Sequence, residues 1–231
     1  MNGKITNDAR LDPRIKAVLG FMPEIIVNPA SSREALIEDA NSEEQLAMFK
    51  SFQAVMELCD TEEYAPSKGL SVRSQAIVSE PDGNSINLQI IRPDTDEILP
   101  CVYYIHGGGM QASSCYDGNY RAWGKIIAAQ GVAVIMVDFR NSITASSVPE
   151  IAPFPAGLND CVSGLKWVCA NAELLQIDAS RVVVAGESGG GNLTLATGLK
   201  LRQERNLDLI QGLYALCPYI AGHWPQDRYP S

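Results

Sequence analysis

At 231 residues, with 46% of them hydrophobic, the chain can bury a sizeable core and falls between one large domain and two small ones. Its net charge of −9 and pI near 4.7 repel nucleic acid and anionic membrane surfaces, which attract basic patches, so a neutral or apolar small molecule is the expected partner. The longest apolar run, VAVIMV at 132–137, is far too short to span a bilayer.

The opening MNGKITNDARLDPRIK has neither an apolar signal core nor an Arg-rich amphipathic pattern, so a cytoplasmic protein is expected. Residues 1–64 show no strand pattern. Within them SREALIEDANSEEQLAMFKSFQAVMELCD has one helical periodicity, with Leu46, Phe49, Phe52 or Gln53, and Met56 three or four apart and Glu43 and Glu44 near its start. Next, SVRSQAIVSE and NSINLQIIRP alternate on either side of Pro-Asp-Gly, which predicts a hairpin. From there CVYYIHG, VAVIMVDF, RVVVAG and IQGLYALCPYI are compact apolar runs. Between them lie NYRAWGKIIAAQ, GLNDCVSGLKWVCANAELL and NLTLATGLKLRQER, which have helical spacing. That alternation predicts an α/β fold with a parallel, doubly covered sheet and right-handed crossovers. The six cysteines are scattered with no C-x-x-C, so free thiols are expected. Two histidines, His106 and His223, are too few for a His-rich metal site.

Two glycine clusters follow strands, HGGGM at 106–110 and GESGGGN at 186–192, and in such sheets ligands sit beyond the carboxyl ends of the strands. A phosphate loop would need Lys and Ser or Thr where this chain has Asn192 and Leu193. A dinucleotide site is suggested by Gly107, Gly109 and Ala112, with Asp138 ending the next strand, but QASSCYDG intervenes where that motif must open directly into a helix. The third reading uses both clusters. Gly186, Glu187, Ser188, Gly189 and Gly190 fit G-x-S-x-G, a sharp strand-to-helix turn that pushes the serine hydroxyl out at the top of the sheet, and the earlier glycines offer N–H groups for an oxyanion.

YYIHGGGM at 103–110, VDFR at 137–140, PFPAGLND at 153–160 and VVVAGESGGGN at 182–192 together resemble the hormone-sensitive-lipase family of α/β-hydrolase esterases over about residues 70–220. The resemblance implies an α/β-hydrolase fold, doubly wound and mainly parallel, with an N-terminal helical cap at 1–64 and the core at 65–231. It makes Ser188 the nucleophile and the N–H groups of Gly108, Gly109 and Gly189 the oxyanion hole. The activity implied is hydrolysis of short- to medium-chain carboxylic esters through an acyl-enzyme, with a small-molecule ester as substrate and no cofactor or metal.

Three features depart from the family pattern. Glu187 and Gly189 stand where Asp and Ala are usual, and NSITASSVPEI is longer than the usual link. The family also places its acid and histidine after two further strands, so the triad partners of Ser188 and the last strands and helices are expected beyond Ser231. IQGLYALCPYI, apolar on both faces, would otherwise be left as a bare edge strand. That edge could alternatively be covered by another chain, as in a homodimer, with the base supplied in trans.

His223 is the weaker candidate base, and Asp227 is an acid by residue type only. By resemblance His106 anchors the glycine loop, while Glu187 holds nearby backbone. Asp138, Arg140 and Asp160 are read as charge-assisted loop fasteners. Cys115 is reactive only if exposed, and Trp123, Trp167 and Phe154 are read as core or pocket wall. The rival readings are a small-molecule-binding protein or a lyase on the same scaffold, and an inactive truncated fragment.

Overall fold

The computed structural model describes residues 7–19 and 30–220 and divides into two units, 1–36 and 37–231. In the first unit, helix α1 (Pro13–Leu19) opens on proline, whose missing N–H is no loss at a helix start. Helix α2 (Arg33–Ala40) spans the division, its first turn held by the Ser32 hydroxyl accepting from the Ala35 N–H.

Helix α3 (Glu43–Glu57) belongs to the larger unit. The sequence predicts one continuous helix across α2 and α3. The chain instead breaks at Asn41–Ser42, where the Ser42 hydroxyl accepts from the Gln45 N–H at 3.3 Å and caps a new helix. Leu46, Phe49, Gln53 and Met56 form a half-buried stripe along α3, as their spacing predicts.

The sheet begins with the predicted hairpin, β1 (Leu70–Val78) and β2 (Ser85–Pro93), paired antiparallel from Leu70↔Pro93 to Val78↔Ser85. Then come β3 (Leu99–Ile105), helix α4 (Gly118–Ala128), β4 (Ala133–Asp138), helix α5 (Ala156–Ala170), the short helix α6 (Ala172–Leu175), β5 (Ile177–Glu187), helix α7 (Gly189–Gln203) and β6 (Gly212–Leu216). The six strands lie in the order β1-β2-β4-β3-β5-β6. The pairs β4–β3, β3–β5 and β5–β6 are parallel, and the hairpin joins antiparallel through β2–β4.

Period-two alternation builds two cores. Leu88, Ile90, Tyr103, Ile105, Ile135, Val137, Val182 and Val184 face the same side as the buried residues of α5 and α7. Ile91, Tyr104, Val134, Met136 and Ala185 face the side of α4. All six residues of β4 are therefore buried, which is why VAVIMVD reads as a continuous apolar run.

Strand β6 shows the bare apolar edge that its two-faced apolar pattern implies when no further strand covers it. It lies at the sheet edge, with α7 against one face, while Tyr214 is 59% and Leu216 46% exposed on the other. Among the described residues, α4 is the helix on that face, and it sits over β2 and β4. A groove of about 250 Å³ is left beside β6, walled by Val102, Trp123, Ile127, Val183, Tyr214 and Leu216.

A buried ion cluster fastens the loops behind the sheet, as predicted for Arg140 and Asp160. The Asp160 carboxylate accepts from the Arg140 backbone N–H, its Nε and its Nη2 at 2.8–3.0 Å, from the Ser79 hydroxyl at 2.6 Å and from Asn84 Nδ2 at 3.2 Å. Arg140 reaches on to Asp82 and Glu150. All six cysteines are free. Trp167 packs against the core and Trp123 walls the groove, but Phe154 is 83% exposed, in the loop just ahead of α5, and is neither core nor pocket wall.

Candidate active site

Ser188 is the single residue between the end of β5 and the start of α7, and the turn is too sharp for an ordinary backbone conformation. Its φ of 54° and ψ of −117° are strained for a residue with a side chain, a cost of about 1–3 kcal/mol that the surroundings must impose. They do so through the backbone. The Ser188 N–H donates to Leu216 O at 2.9 Å, while its carbonyl accepts from Asn192 and Tyr219 N–H. Both ends of the elbow are thereby tied to α7 and to the chain at and just past β6, leaving the half-buried side chain projecting from the turn.

The first glycine cluster leaves β3 at the same edge of the sheet. Gly108 has φ +95°, and a Cβ there would meet Ala112 O at 2.2 Å, so the tight turn admits glycine alone. The two clusters touch: a Cβ on Gly189 would lie 2.8 Å from Gly109 Cα, Gly109 N and Met110 N. The N–H groups of Gly108 and Gly109 have no acceptor among the described residues, and that of Gly189 is an orphan donor of the first turn of α7. Ser188 and the three predicted donors are thus brought into one neighbourhood.

A cavity of about 280 Å³ opens there, lined by Ser188, Gly108, Ser113, Asp117, Asn119, Tyr120 and Glu187 from the core, and by Phe52, Gln53 and Met56 from α3. Residues of the α3 stripe therefore face the cavity, a role that spacing alone did not distinguish from interior packing. Gln53 Nε2 donates to Asp117 Oδ1 at 2.8 Å, and Asp60, in the turn that follows α3, pairs with Arg121 and Lys125 of α4, so the cavity wall is fastened to the core.

His106 is buried against the stacked ring of Phe139, with ring centroids 4.3 Å apart. Its Nδ1 lies 2.8 Å from Gly107 O, which only accepts, so Nδ1 carries the proton and the imidazole anchors the glycine loop as predicted. Nε2 faces Asp138 Oδ1 at 3.7 Å, and burial pushes the imidazole below its ordinary value despite that carboxylate. Asp138 is itself fully buried and engaged. It accepts from the Ser114 hydroxyl, from Cys115 N–H and from Ser147 N–H, and at 0% exposure it offers no surface that a ribose could reach. The glycine loop also does not run directly into a helix, since α4 starts at Gly118. The dinucleotide reading is thereby lost.

Cys115 is buried, and burial followed by the Asp138 charge pushes its thiol far above the ordinary range, so it is inert. The loop NSITASSVPEI lies beside the glycine turn, with Ser142 N–H donating to Met110 O and Thr144 N–H to Gln111 O. Glu187 holds nearby structure by accepting from the Tyr120 hydroxyl at 2.7 Å, yet it also lines the cavity. Tyr120 was not singled out by any sequence signal, because it sits in an ordinary helical run. His223 and Asp227 lie outside the described residues. Among the described residues, no three His, Cys, Asp or Glu side chains converge to hold a metal, and no helix is long and apolar enough to cross a membrane.

The profile of the α/β-hydrolase-fold family matches residues 102–230. The solved structure of esterase Est22 is 60% identical, covers 100% of this chain and 67% of its own, and superposes with a TM-score of 0.94. The same esterase has been solved as an S188A mutant and with p-nitrophenol. Brefeldin A esterase, a bacterial homologue of human hormone-sensitive lipase, is 32% identical over 96% of this chain and 61% of its own, with a TM-score of 0.77. Carboxylesterase NlhH of Mycobacterium tuberculosis is 38% identical over 44% of this chain. The chain spans 30% of NlhH, and 41% of the tulip tuliposide A-converting enzyme 2 that it also matches.

Proposed function

Because the chain belongs to the hormone-sensitive-lipase-like esterases of the α/β-hydrolase fold, we propose that it carries the nucleophile and oxyanion hole of a serine carboxylesterase acting on short- to medium-chain carboxylic esters. The contact between the two glycine turns carries this reading, because it sets Ser188 beside unpaired N–H groups at one end of the sheet. In the proposed reaction Ser188 Oγ attacks the ester carbonyl and the N–H groups of Gly108, Gly109 and Gly189 hold the developing oxyanion. The alcohol leaves, and water then releases the acid from the acyl-enzyme. The strained backbone of Ser188 supports the assignment, since such strain concentrates at reactive turns.

The described residues provide no general base for Ser188. His106 is committed to Gly107 and buried beside Asp138. The reading accordingly leaves the triad acid and histidine outside the described residues. A second reading, a ligand-binding protein or lyase on this scaffold, rests on the same observation. The test is hydrolysis of p-nitrophenyl butyrate by the purified protein and its Ser188→Ala variant. Loss of at least about 10³-fold in kcat is expected, and hydrolysis unchanged by the substitution would refute the assignment.

A further inference from the structure

The parallel ladder between β3 and β5 ends at the pair Ile105↔Gly186. Beyond that pair no strand hydrogen bond sets where the glycine loop lies relative to the elbow, although their separation decides whether Gly108 and Gly109 can reach an oxyanion formed on Ser188. One side chain spans the gap. The Gly107 N–H donates to the Tyr120 phenol oxygen at 3.0 Å, and the phenol donates to Glu187 Oε1 at 2.7 Å. The residue immediately before Gly108 is thereby joined to the residue immediately before Ser188 through a single buried hydroxyl.

The fit around this bridge is close. A Cβ at Gly107 would stand 2.0 Å from Glu187 Oε1 and 2.8 Å from the Tyr120 hydroxyl, so the carboxylate and phenol lie directly on the loop backbone. Tyr120 is only 8% exposed, and burial followed by the Glu187 carboxylate holds the phenol protonated, fixing the direction of both hydrogen bonds.

We propose that Tyr120 and Glu187 form a clamp that positions the oxyanion-hole loop against the nucleophile turn, with Glu187 acting as a hydrogen-bond acceptor and not through its charge. This rests on the esterase reading of Ser188. The distinction between acceptor and charge follows from electrostatics, because a carboxylate beside a developing oxyanion repels it. A field effect from Glu187 would therefore oppose the reaction, whereas the clamp needs only the oxygen. A glutamine retains that oxygen and an alanine does not.

The test uses the purified protein and compares Tyr120→Phe, Glu187→Gln, Glu187→Ala and the double variant Tyr120→Phe/Glu187→Ala in p-nitrophenyl ester hydrolysis, with Tm recorded for each. Tyr103→Phe is the control. It deletes another buried hydroxyl, bonded to Cys161 O at 2.9 Å among the core residues on the other side of the sheet from α4. Loss of one oxyanion donor costs about 10²–10³-fold in kcat, so a loosened loop is expected to cost at least about tenfold. Tyr120→Phe and Glu187→Ala should each show that loss with KM within about twofold, and the double variant should be no worse than either single one, as expected for two parts of one bridge. Glu187→Gln should keep kcat within about threefold, and Tyr103→Phe should lower Tm while keeping kcat.

Wild-type kcat in Tyr120→Phe, or equal losses in Glu187→Gln and Glu187→Ala, would overturn the clamp. Should Tyr120→Phe fail to fold, the Glu187 pair decides alone. If Ser188→Ala retains hydrolysis, the esterase reading has failed; if it does not and Tyr120→Phe matches wild type, only the clamp has.

Discussion

Replacing Asp160 with alanine should be among the most destabilising single changes outside the site, and its size follows from the donors that converge on one buried carboxylate. Asp160 is fully buried and accepts five hydrogen bonds, three of them from Arg140, itself 4% exposed. Removing one partner of a buried pair leaves an uncompensated charge and costs about 3–5 kcal/mol. Arg140 retains Asp82 and Glu150, whose side chains are partly solvent-exposed, so the lower half of that range applies. For a chain of this size each kcal/mol moves Tm by about 2–4 °C, so a fall of roughly 6–16 °C is expected. Thermal unfolding followed by circular dichroism measures it. A fall of less than about 2 °C would show that the cluster contributes little and that the desolvation cost of these ions cancels their attraction.

Stability should also decline as pH falls below about 6.5, before most carboxylates titrate. Burial holds His106 below its ordinary value, so the folded state binds fewer protons than the unfolded one in that window and loses stability as pH falls. Denaturant melts at several pH values should show a slope that His106→Asn removes. Native-state thiol labelling followed by peptide mass spectrometry should modify the exposed Cys59 and Cys217 and spare the buried Cys101, Cys115 and Cys161. Met56→Trp, which fills part of the cavity beside Ser188, should lower kcat/KM for longer acyl esters roughly tenfold more than for acetate. An unchanged chain-length profile would show that the acyl group lies elsewhere.

The strands were legible because β-branched runs bounded by turn residues admit few alternatives, and the elbow because small residues must flank so tight a turn. Other features had weaker signals. The break between α2 and α3 was encoded in Ser42 and Gln45, a Ser-x-x-Gln cap that the continuous apolar spacing obscured. A similar break at Asn171 separates α5 from α6, where helical spacing likewise runs on. The two-faced apolar pattern of β6 announced a bare edge, but which side chains stay uncovered, Tyr214 and Leu216, depends on where α4 and α7 pack and is not written in the strand. The bridges Tyr120–Glu187 and Gln53–Asp117 join residues 67 and 64 positions apart, a separation that no local pattern reveals. Site chemistry was therefore readable where a motif concentrates it in a few adjacent residues, and hidden where folding assembles it.

The most direct test of the central claim is treatment of the purified protein with a fluorophosphonate probe, followed by mapping of the modified peptide. A serine activated by a general base beside an oxyanion hole should react within minutes, with the adduct on Ser188 and no adduct in Ser188→Ala. A native protein that resists the probe, or an adduct on another residue, would contradict the assignment of Ser188 as the nucleophile of an esterase.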